Sequence, residues 1–393
     1  MTGPGRRGEP AVMLLCDYSL RYLGGAQTAF VRQARSLAAQ GWTVVVVAPD
    51  ADVLGGTPHI VPVAPAVRGT LPGLDLPILG PVTRLTALLD ALIDRHGVQA
   101  LIVHSEFALA AAALAAGADR GVPVLHTVHT FFWRAPRMLS PLAPAVGWFH
   151  RGLTGIPAAA RYRGSTPINN ALRGMTLRVA LRADAVLSPS AHQAQALRQA
   201  GVEHARAFSN VSEPLAPAPP PPDDEPLSLL WAARFAPEKR LDVALDAVRL
   251  VGQTLGAGRV HLHVAGGEAR PLPDVTFHGR VPGDEVARLV AASHAVLITS
   301  LGFDNQPMIA LEAFTRARPV LVTDPVLRDE FGAAAVGTPA PDAAGLAASL
   351  VQAVRDRDLL RRAGQAALEY AQQRQPDRHA AALQVVIRAA RQR

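Results

Sequence analysis

The only lysine of the chain, Lys239, lies five residues after Arg234 and just beyond a short apolar segment typical of a buried strand. Every other basic residue is an arginine, so a lysine here is exceptional. Two cations between a strand and a helix can neutralise a diphosphate and stabilise it as it departs. An exposed loop with ordinary surface charge is the alternative, but the single lysine favours an anion-binding role.

Two carboxylates, Asp304 and Glu312, are eight residues apart. Asp304 falls in a predicted loop, and Glu312 lies about one turn into a predicted helix of otherwise apolar residues. An unpartnered carboxylate in such a stretch is costly. Because a carboxylate can accept hydrogen bonds from two sugar hydroxyls, the pattern indicates sugar binding; a glutamate on a helix surface is the alternative.

Two further features lie at the ends of predicted strands. Gly24 and Gly25 precede a helix, where the backbone can approach a ligand and free N–H groups can face an anion, although a simple turn is the alternative. His129 follows the predicted strand 123–128, at the edge where parallel sheets bind ligands. A lone histidine can equally be structural.

Alternating strand and helix patterns position these residues. The apolar run Ala11–Leu15, the helical pattern over 26–40 and the β-branched run over 43–48 form a β-α-β unit, which predicts a parallel sheet. The alternation restarts after a segment rich in proline, which can neither pair in a sheet nor continue a helix. We therefore expect two doubly wound α/β domains.

The domain boundaries follow from this pattern. We expect an N-terminal domain over 1–212, a proline-rich linker over 213–226, a second domain over 227–375, and a C-terminal helix over 376–393 that is a candidate for packing back on the first domain. Two closing helices are predicted, over 343–355 and 378–391.

Composition limits the class of protein. The chain has 393 residues, of which 49% are apolar and 18% charged, as in globular proteins. No apolar run approaches the roughly 20 residues that span a bilayer. The apolar stretch near the N-terminus ends at Asp17, too soon for a signal peptide, and the single Cys16 permits no intrachain disulfide. We expect a cytoplasmic protein, with a peripheral position on the inner membrane face as a further candidate.

The net charge of +7 falls in residues 1–215, which hold 19 basic and 12 acidic side chains. Within them, the stretch from Arg134 to Arg182 has eight arginines and no acid. A solvated basic surface is one interpretation. The other is a patch that faces an anionic membrane or a phosphorylated acceptor. No nucleic-acid partner is expected.

Together these features resemble glycosyltransferase family 4, whose members are retaining enzymes with the GT-B fold, two Rossmann-like domains facing a central cleft. The resemblance covers nearly the whole chain. It rests on the glycine loop, on Thr127-Val128-His129, on Arg234 with Lys239, and on the Glu-x7-Glu motif that ends in Leu311-Glu312-Ala313.

The resemblance implies a hexosyl transfer from a UDP- or GDP-linked sugar to the hydroxyl of a small-molecule, glycan or lipid-linked acceptor. It implies no metal and no other cofactor. The implied catalytic residues are His129, Arg234, Lys239 and Asp304, and the implied donor-binding residues are Gly24, Gly25, Arg234, Lys239, Arg280, Asp304, Asn305, Gln306 and Glu312.

Each position has an implied role. Arg234 and Lys239 would hold the diphosphate, Glu312 the ribose, and His129 a sugar hydroxyl near the reacting carbon. Gly279-Arg280 would line the base, and position 304 would contact the donor sugar. The first acid of the motif is aspartate here, and Asn305-Gln306-Pro307 replaces the usual Gly-Phe-Gly, which leaves the donor sugar open.

Three alternatives remain. Asp50-Ala51-Asp52 matches the Asp-x-Asp metal-binding motif of single-domain GT-A transferases. However, it follows a predicted strand, where an acidic turn is unremarkable. The two predicted α/β domains also do not fit a single GT-A domain. The shorter Asp304 would also suit a degenerate family member that binds sugar nucleotide without turnover. A sugar-nucleotide epimerase with the same fold would need no acceptor.

Overall fold

The chain forms two compact units in a computed structural model. Unit 1 comprises Met1–Val211 and Pro376–Arg393, and unit 2 comprises Ser212–Gln375. The structure describes residues 10–21, 24–71, 76–132, 135–157, 162, 164–214, 216–223 and 226–392.

Unit 1 is built on a seven-stranded parallel sheet. Its strands are β1 (Ala11–Leu15), β2 (Thr43–Val47), β3 (Ile60–Val63), β6 (Leu101–Val103), β7 (Val124–Thr127), β8 (Ala185–Ser188) and β9 (Ala205–Ala207), in the spatial order β3-β2-β1-β6-β7-β8-β9. An antiparallel hairpin, β4 (Val67–Leu71) and β5 (Leu76–Leu79), stands apart from this sheet.

Helices cover both faces of that sheet. They are α1 (Gly25–Ala39), α2 (Val82–His96), α3 (Ala108–Arg120), α4 (Ala143–Thr154), α5 (Pro167–Ala180), α6 (Ala191–Gln199) and α13 (Pro376–Arg391). Alternate residues of β1 point to opposite faces: Val12 packs in the cluster that holds α1 and α13, and Met13 in the cluster that holds α2 and α3. Burial on both faces explains why the strands read as unbroken apolar runs.

Unit 2 contains a six-stranded parallel sheet. Its strands are β10 (Leu227–Ala232), β11 (Val260–Ala265), β12 (Val275–Phe277), β13 (Ala295–Ile298), β14 (Val320–Val322) and β15 (Ala335–Gly337), in the order β12-β11-β10-β13-β14-β15. Its helices are α7 (Leu241–Leu255), α8 (Gly283–Ala292), α9 (Met308–Thr315), α10 (Pro325–Phe331), α11 (Ala343–Arg355) and α12 (Arg357–Gln372).

The number of closing helices differs from the sequence prediction. The structure has three, α11, α12 and α13, where the sequence pattern predicted two. Helix α12 is nevertheless amphipathic: its buried residues recur at helical spacing and are Leu360, Ala363, Gly364, Ala367 and Ala371. The periodic signal was therefore present in the sequence, and the prediction of two helices was wrong. Close packing accounts for glycine at position 364 on the buried face of α12. A Cβ on Gly364 would lie 2.4 Å from the carbonyl oxygen of Ala317, so α12 packs at close range against the turn after α9.

Candidate functional site

In unit 2, the Lys239 loop is fixed to the end of the neighbouring strand β13. The carbonyl oxygen of Lys239 accepts a hydrogen bond from the Thr299 hydroxyl at 2.7 Å, and that hydroxyl oxygen accepts one from the Trp231 indole at 2.9 Å. Arg240, whose φ is 51°, donates to the Thr299 carbonyl at 3.3 Å. Neighbouring strand ends therefore hold the backbone on which Lys239 is placed.

Folding joins the two sequence motifs directly. The Lys239 ammonium lies 2.6 Å from Asp304 Oδ1, although 64 residues separate the two in the chain. The Ser300 hydroxyl donates to the other carboxylate oxygen at 2.5 Å. The Lys239 and Asp304 side chains are 20% and 12% exposed. The pair is therefore partly shielded from water yet still reachable by a ligand.

Arg234 is arranged differently. Its side chain is 75% exposed and lies 3.6 Å from Glu238, four residues on. Ion pairs this exposed contribute little to stability. The guanidinium can therefore turn toward an anion at small cost.

The loop at Gly266, after β11, packs against the start of the Lys239 loop. Gly266 has a φ of 129°, and a Cβ there would lie 1.9 Å from the Ala233 carbonyl oxygen, so only glycine fits. Its N–H donates to the Gly279 carbonyl at 2.7 Å. Arg280, the next residue, is exposed. The carboxyl ends of β10, β11 and β12 thus meet at one edge.

The remaining motif residues lie on or just before α9. Glu312 is half-buried, whereas the Asn305 and Gln306 side chains are buried. The Gln306 amide donates to the Tyr370 hydroxyl of α12 at 3.1 Å, so this side chain packs within the protein. Buried Asp324 accepts a hydrogen bond from the Gly302 N–H at 2.6 Å and thereby anchors the loop that carries Asp304.

In unit 1, Gly24 and Gly25 begin α1, as the sequence predicted. Gly24 has an extended φ of −85°. Among the described residues, no atom lies within 4 Å of a Cβ built on Gly25. Backbone strain and packing against that part of the chain therefore do not demand glycine at position 25.

His129 follows β7 and is half-buried. Its Nε2 lies 2.8 Å from Nδ1 of His104, a buried residue after β6. Burial lowers the pKa of His129 to about 4 and holds that of His104 well below its usual range. Both rings are therefore neutral near pH 7.

Two buried carboxyls lie at the same edge of unit 1. Asp17 follows β1, and its oxygens accept hydrogen bonds from the Ser105 hydroxyl at 2.7 Å and from the Leu109 N–H at 2.9 Å. Burial raises its pKa. Burial, with the charge of Asp17, raises the pKa of Glu106 to about 8. Sequence reasoning missed Glu106, His104 and Ser300, although each lies within three residues of the end of a strand, the kind of position that identified His129.

The first acid of the Asp50-Ala51-Asp52 turn binds other side chains of unit 1. Asp50 lies 3.0 Å from the Arg21 guanidinium and accepts from the Ser19 hydroxyl at 2.5 Å, while Asp52 is exposed. Within the described ranges, no group of three or more His, Cys, Asp or Glu side chains is placed to hold a metal ion.

The basic stretch is only partly a basic surface. Arg134, Arg161 and Arg163 lie outside the described residues. Arg178 is buried and donates to the Gly147 carbonyl at 3.0 Å, so it joins α5 to α4. The exposed arginines of the described part are Arg137, Arg151 and Arg182. No helix among the described residues combines the length and the apolarity needed to cross a membrane.

Solved structures with the same fold are numerous. HepE from Anabaena, in complex with UDP and glucose, is 14% identical with a TM-score of 0.66, and the match covers 97% of this chain and 100% of that one. Sucrose-phosphate synthase from Thermosynechococcus elongatus is 16% identical with a TM-score of 0.66, over 97% and 99%. The pneumococcal O-GlcNAc transferase GtfA, with UDP and GlcNAc, is 10% identical with a TM-score of 0.66, over 98% and 99%. No curated protein matches the sequence.

Two family models match separate parts of the chain. Glycosyltransferase Family 4 matches residues 23–208, and Glycosyl transferases group 1 matches residues 226–356. The first lies within unit 1, and the second lies within unit 2. With these two matches and two Rossmann-like parallel sheets, the chain belongs to the GT-B glycosyltransferases.

Proposed function

We propose that the protein is a retaining, metal-independent hexosyltransferase that uses a UDP- or GDP-linked sugar and an acceptor hydroxyl. The observation that carries the proposal is the cluster of Lys239, Asp304 and Ser300 at the carboxyl edge of the unit 2 sheet. Ligands of doubly wound sheets bind at this edge. HepE and GtfA, which share the fold, were solved with UDP and a sugar.

Lys239 and Arg234 are assigned to the donor diphosphate. The half-shielded ammonium of Lys239 acts more strongly on developing negative charge than a fully hydrated one would. In the structure its charge is shared with Asp304. A bound diphosphate would compete for the ammonium, and the exposed Arg234 would turn in from Glu238 to supply a second cation. With two side-chain cations available, a divalent metal is not required.

We assign retention to same-face attack. The bond between the anomeric carbon and the phosphate oxygen breaks, the acceptor oxygen bonds to that carbon on the same face, and its proton passes to the departing phosphate. A double inversion would instead need a carboxylate nucleophile. Both Asp304 oxygens already accept hydrogen bonds, from Lys239 and Ser300, which makes this carboxylate a poor nucleophile. Glu312, on α9, is assigned to the ribose.

The acceptor is proposed to lie at an anionic membrane. Met138, Leu142 and Trp148 expose 82%, 55% and 78% of their surface on α4 and the turn before it. Exposed Arg137 and Arg151 belong to the same segment, and no acid occurs between residues 120 and 183. Large apolar side chains with arginines beside them suit a lipid interface better than a free phosphorylated acceptor, which needs charge alone. On this proposal the enzyme is peripheral and cytoplasmic.

A screen of nucleotide sugars by thermal shift tests the function. A donor at 100 times its Kd should stabilise the protein by about 2.7 kcal/mol, and Lys239→Ala should abolish most of that shift. Arg249→Ala, which removes an exposed cation from α7, serves as the matched control and should bind the donor normally.

Turnover then separates the alternatives. Acceptor-dependent transfer supports the proposal, whereas binding with neither transfer nor hydrolysis indicates a degenerate member. An epimerised sugar formed without acceptor indicates an epimerase. No thermal shift with any nucleotide sugar would contradict the proposal altogether.

A further inference from the structure

Four side chains of unit 1 form a continuous hydrogen-bonded chain that ends at His129. His129 Nε2 lies 2.8 Å from His104 Nδ1, and His104 Nε2 lies 2.9 Å from the Gln33 amide oxygen. The Gln33 amide nitrogen lies 2.9 Å from His379 Nε2. Gln33 is on α1 and His379 on α13. We call these four residues the histidine relay.

The relay is enclosed by protein along most of its length. His104, Gln33 and His379 are all buried, and Phe208 packs edge-on against the His379 ring at 4.8 Å. Burial lowers the pKa of His379 to about 4, as it lowers those of the other two rings. Each ring is therefore neutral near pH 7 and carries one proton, so each has one donor nitrogen and one acceptor nitrogen.

The Gln33 amide sets the direction of the hydrogen bonds. Its nitrogen faces His379 Nε2, and its oxygen faces His104 Nε2. An amide NH₂ group donates, so His379 Nε2 accepts and the ring proton of His379 lies on Nδ1. The backbone of Ser209, whose hydrogen bond raises the pKa of His379, is consistent with a carbonyl that accepts from this ring.

The positions of the ring protons of His104 and His129 follow from the orientation of Gln33. The Gln33 oxygen faces His104, so His104 Nε2 carries a proton and its Nδ1 accepts. His129 Nε2 must then donate to His104, which makes Nδ1 the acceptor nitrogen of His129. The orientation of the Gln33 amide thus fixes the tautomer of His129 through His104.

We propose that Gln33, His104 and His379 are positioning residues that hold His129 in the Nε2–H tautomer. Any sugar hydroxyl that His129 binds must then donate its proton to Nδ1. The role toward the sugar rests on the proposed function, whereas the tautomer does not. A donor with a carboxylate in place of that hydroxyl would bring an acceptor against an acceptor, so the relay selects neutral sugars over uronic acids.

Nitrogen NMR of the histidine-labelled protein at pH 7 tests the proposal directly. Spectra that correlate ring protons with both ring nitrogens identify which nitrogen is protonated, and single-histidine variants assign the signals. We expect His129 and His104 in the Nε2–H form and His379 in the Nδ1–H form. Protonation of His129 at Nδ1, or at both nitrogens, would overturn the proposal.

Two variants on α13 separate positioning from packing. His379→Leu removes the anchor of the relay, so Gln33 can turn over and His129 should become a mixture of tautomers. Ile387→Val, a matched change in the buried face of the same helix, should leave the tautomer unchanged. If both variants alter the His129 signals equally, or if His379→Leu leaves them unchanged, the relay does not set the tautomer.

Kinetics with the donor found by the thermal-shift screen provide the second measurement. His379→Leu should lower kcat/KM for a donor with a neutral sugar. It should also reduce the ratio of this kcat/KM to the kcat/KM for the matching uronic acid donor. If the tautomers are as expected but no nucleotide sugar is turned over, the relay stands and the proposed function fails. If turnover occurs but the wild type uses both donors equally, the selectivity assigned to the relay is wrong.

Discussion

Replacing Glu106 by glutamine should stabilise unit 1 at pH 8, because glutamine cannot ionise in this buried position. The Glu106 side chain is 9% exposed, and its Oε1 lies 3.4 Å from the Thr176 hydroxyl and 3.9 Å from the His126 ring. Burial and the neighbouring Asp17 charge raise its pKa from 4.5 to about 8. Glutamine has the same shape as the protonated acid and does not ionise.

The direction in which the free energy of unfolding changes with pH follows from proton linkage. Below pH 4.5 Glu106 is protonated in both the folded and the unfolded chain. As the pH rises from 4.5 to about 8, the unfolded chain ionises while the folded protein keeps the proton, so the free energy of unfolding falls. The slope is about 1.36 kcal/mol per pH unit and flattens near pH 8, where the folded group begins to ionise. The wild type should therefore lose about 2 kcal/mol relative to Glu106→Gln between pH 6 and pH 8, and at most about 5 kcal/mol over the whole range.

Buried histidines act in the opposite direction. Burial lowers the pKa of His126 to about 3 and those of His129 and His379 to about 4. As the pH falls below 6.5, the unfolded chain binds protons that the folded rings do not, so stability is lost toward low pH. Both proteins share this effect, and it cancels when the variant and the wild type are compared at each pH.

The single cysteine reports on unit 1 alone. Cys16 is buried in its core next to Asp17, so pulse labelling of the thiol in urea measures the fraction of unit 1 that is unfolded. Exposed Glu203→Gln, in the same unit, is the matched control. A Glu106→Gln protein that is less stable at pH 8, or whose stability relative to the wild type is the same at pH 6 and pH 8, would refute the reasoning.

Further predictions concern the reaction and the membrane. Lys239→Ala should fold normally, as judged by circular dichroism, yet lose turnover by about 10²–10³; near wild-type turnover would remove Lys239 from the diphosphate site. Transfer in excess EDTA should equal transfer in magnesium, and complete loss would favour a metal mechanism. The product should retain the anomeric configuration by NMR, with no sugar trapped on Asp304 by intact-protein mass spectrometry; an inverted product or a trapped sugar would exclude same-face attack. Glu312→Gln should raise the KM for the donor far more than it lowers kcat; the reverse would place it at the reacting carbon. Co-sedimentation with anionic liposomes should weaken with salt and with Trp148→Ser, whereas no binding at low salt would exclude the lipid interface.

The sequence by itself determined the fold class and indicated His129 and Lys239 beyond the ends of strands, but not Glu106, His104 or Ser300. Strands buried on both faces read as continuous apolar runs, as in β2, and this local signal identifies them without any tertiary information. The single Lys239 and the spacing of Asp304 to Glu312 indicated the chemistry. Helix α12 was missed although its buried residues, mostly alanine, recur at helical spacing opposite a charged face.

Only the tertiary structure decided which side chains meet. Lys239 and Asp304 follow β10 and β13, which are neighbours in the sheet although other strands intervene in the chain. In the same way, the pairing of β1 with β6 brings Asp17 close enough to Glu106 to raise its pKa. The relay needs a helix from the far end of the chain beside α1. Periodicity encodes which face of an element is buried, but strand order and helix docking set the distances between side chains, and those distances determine charge, tautomer and pKa.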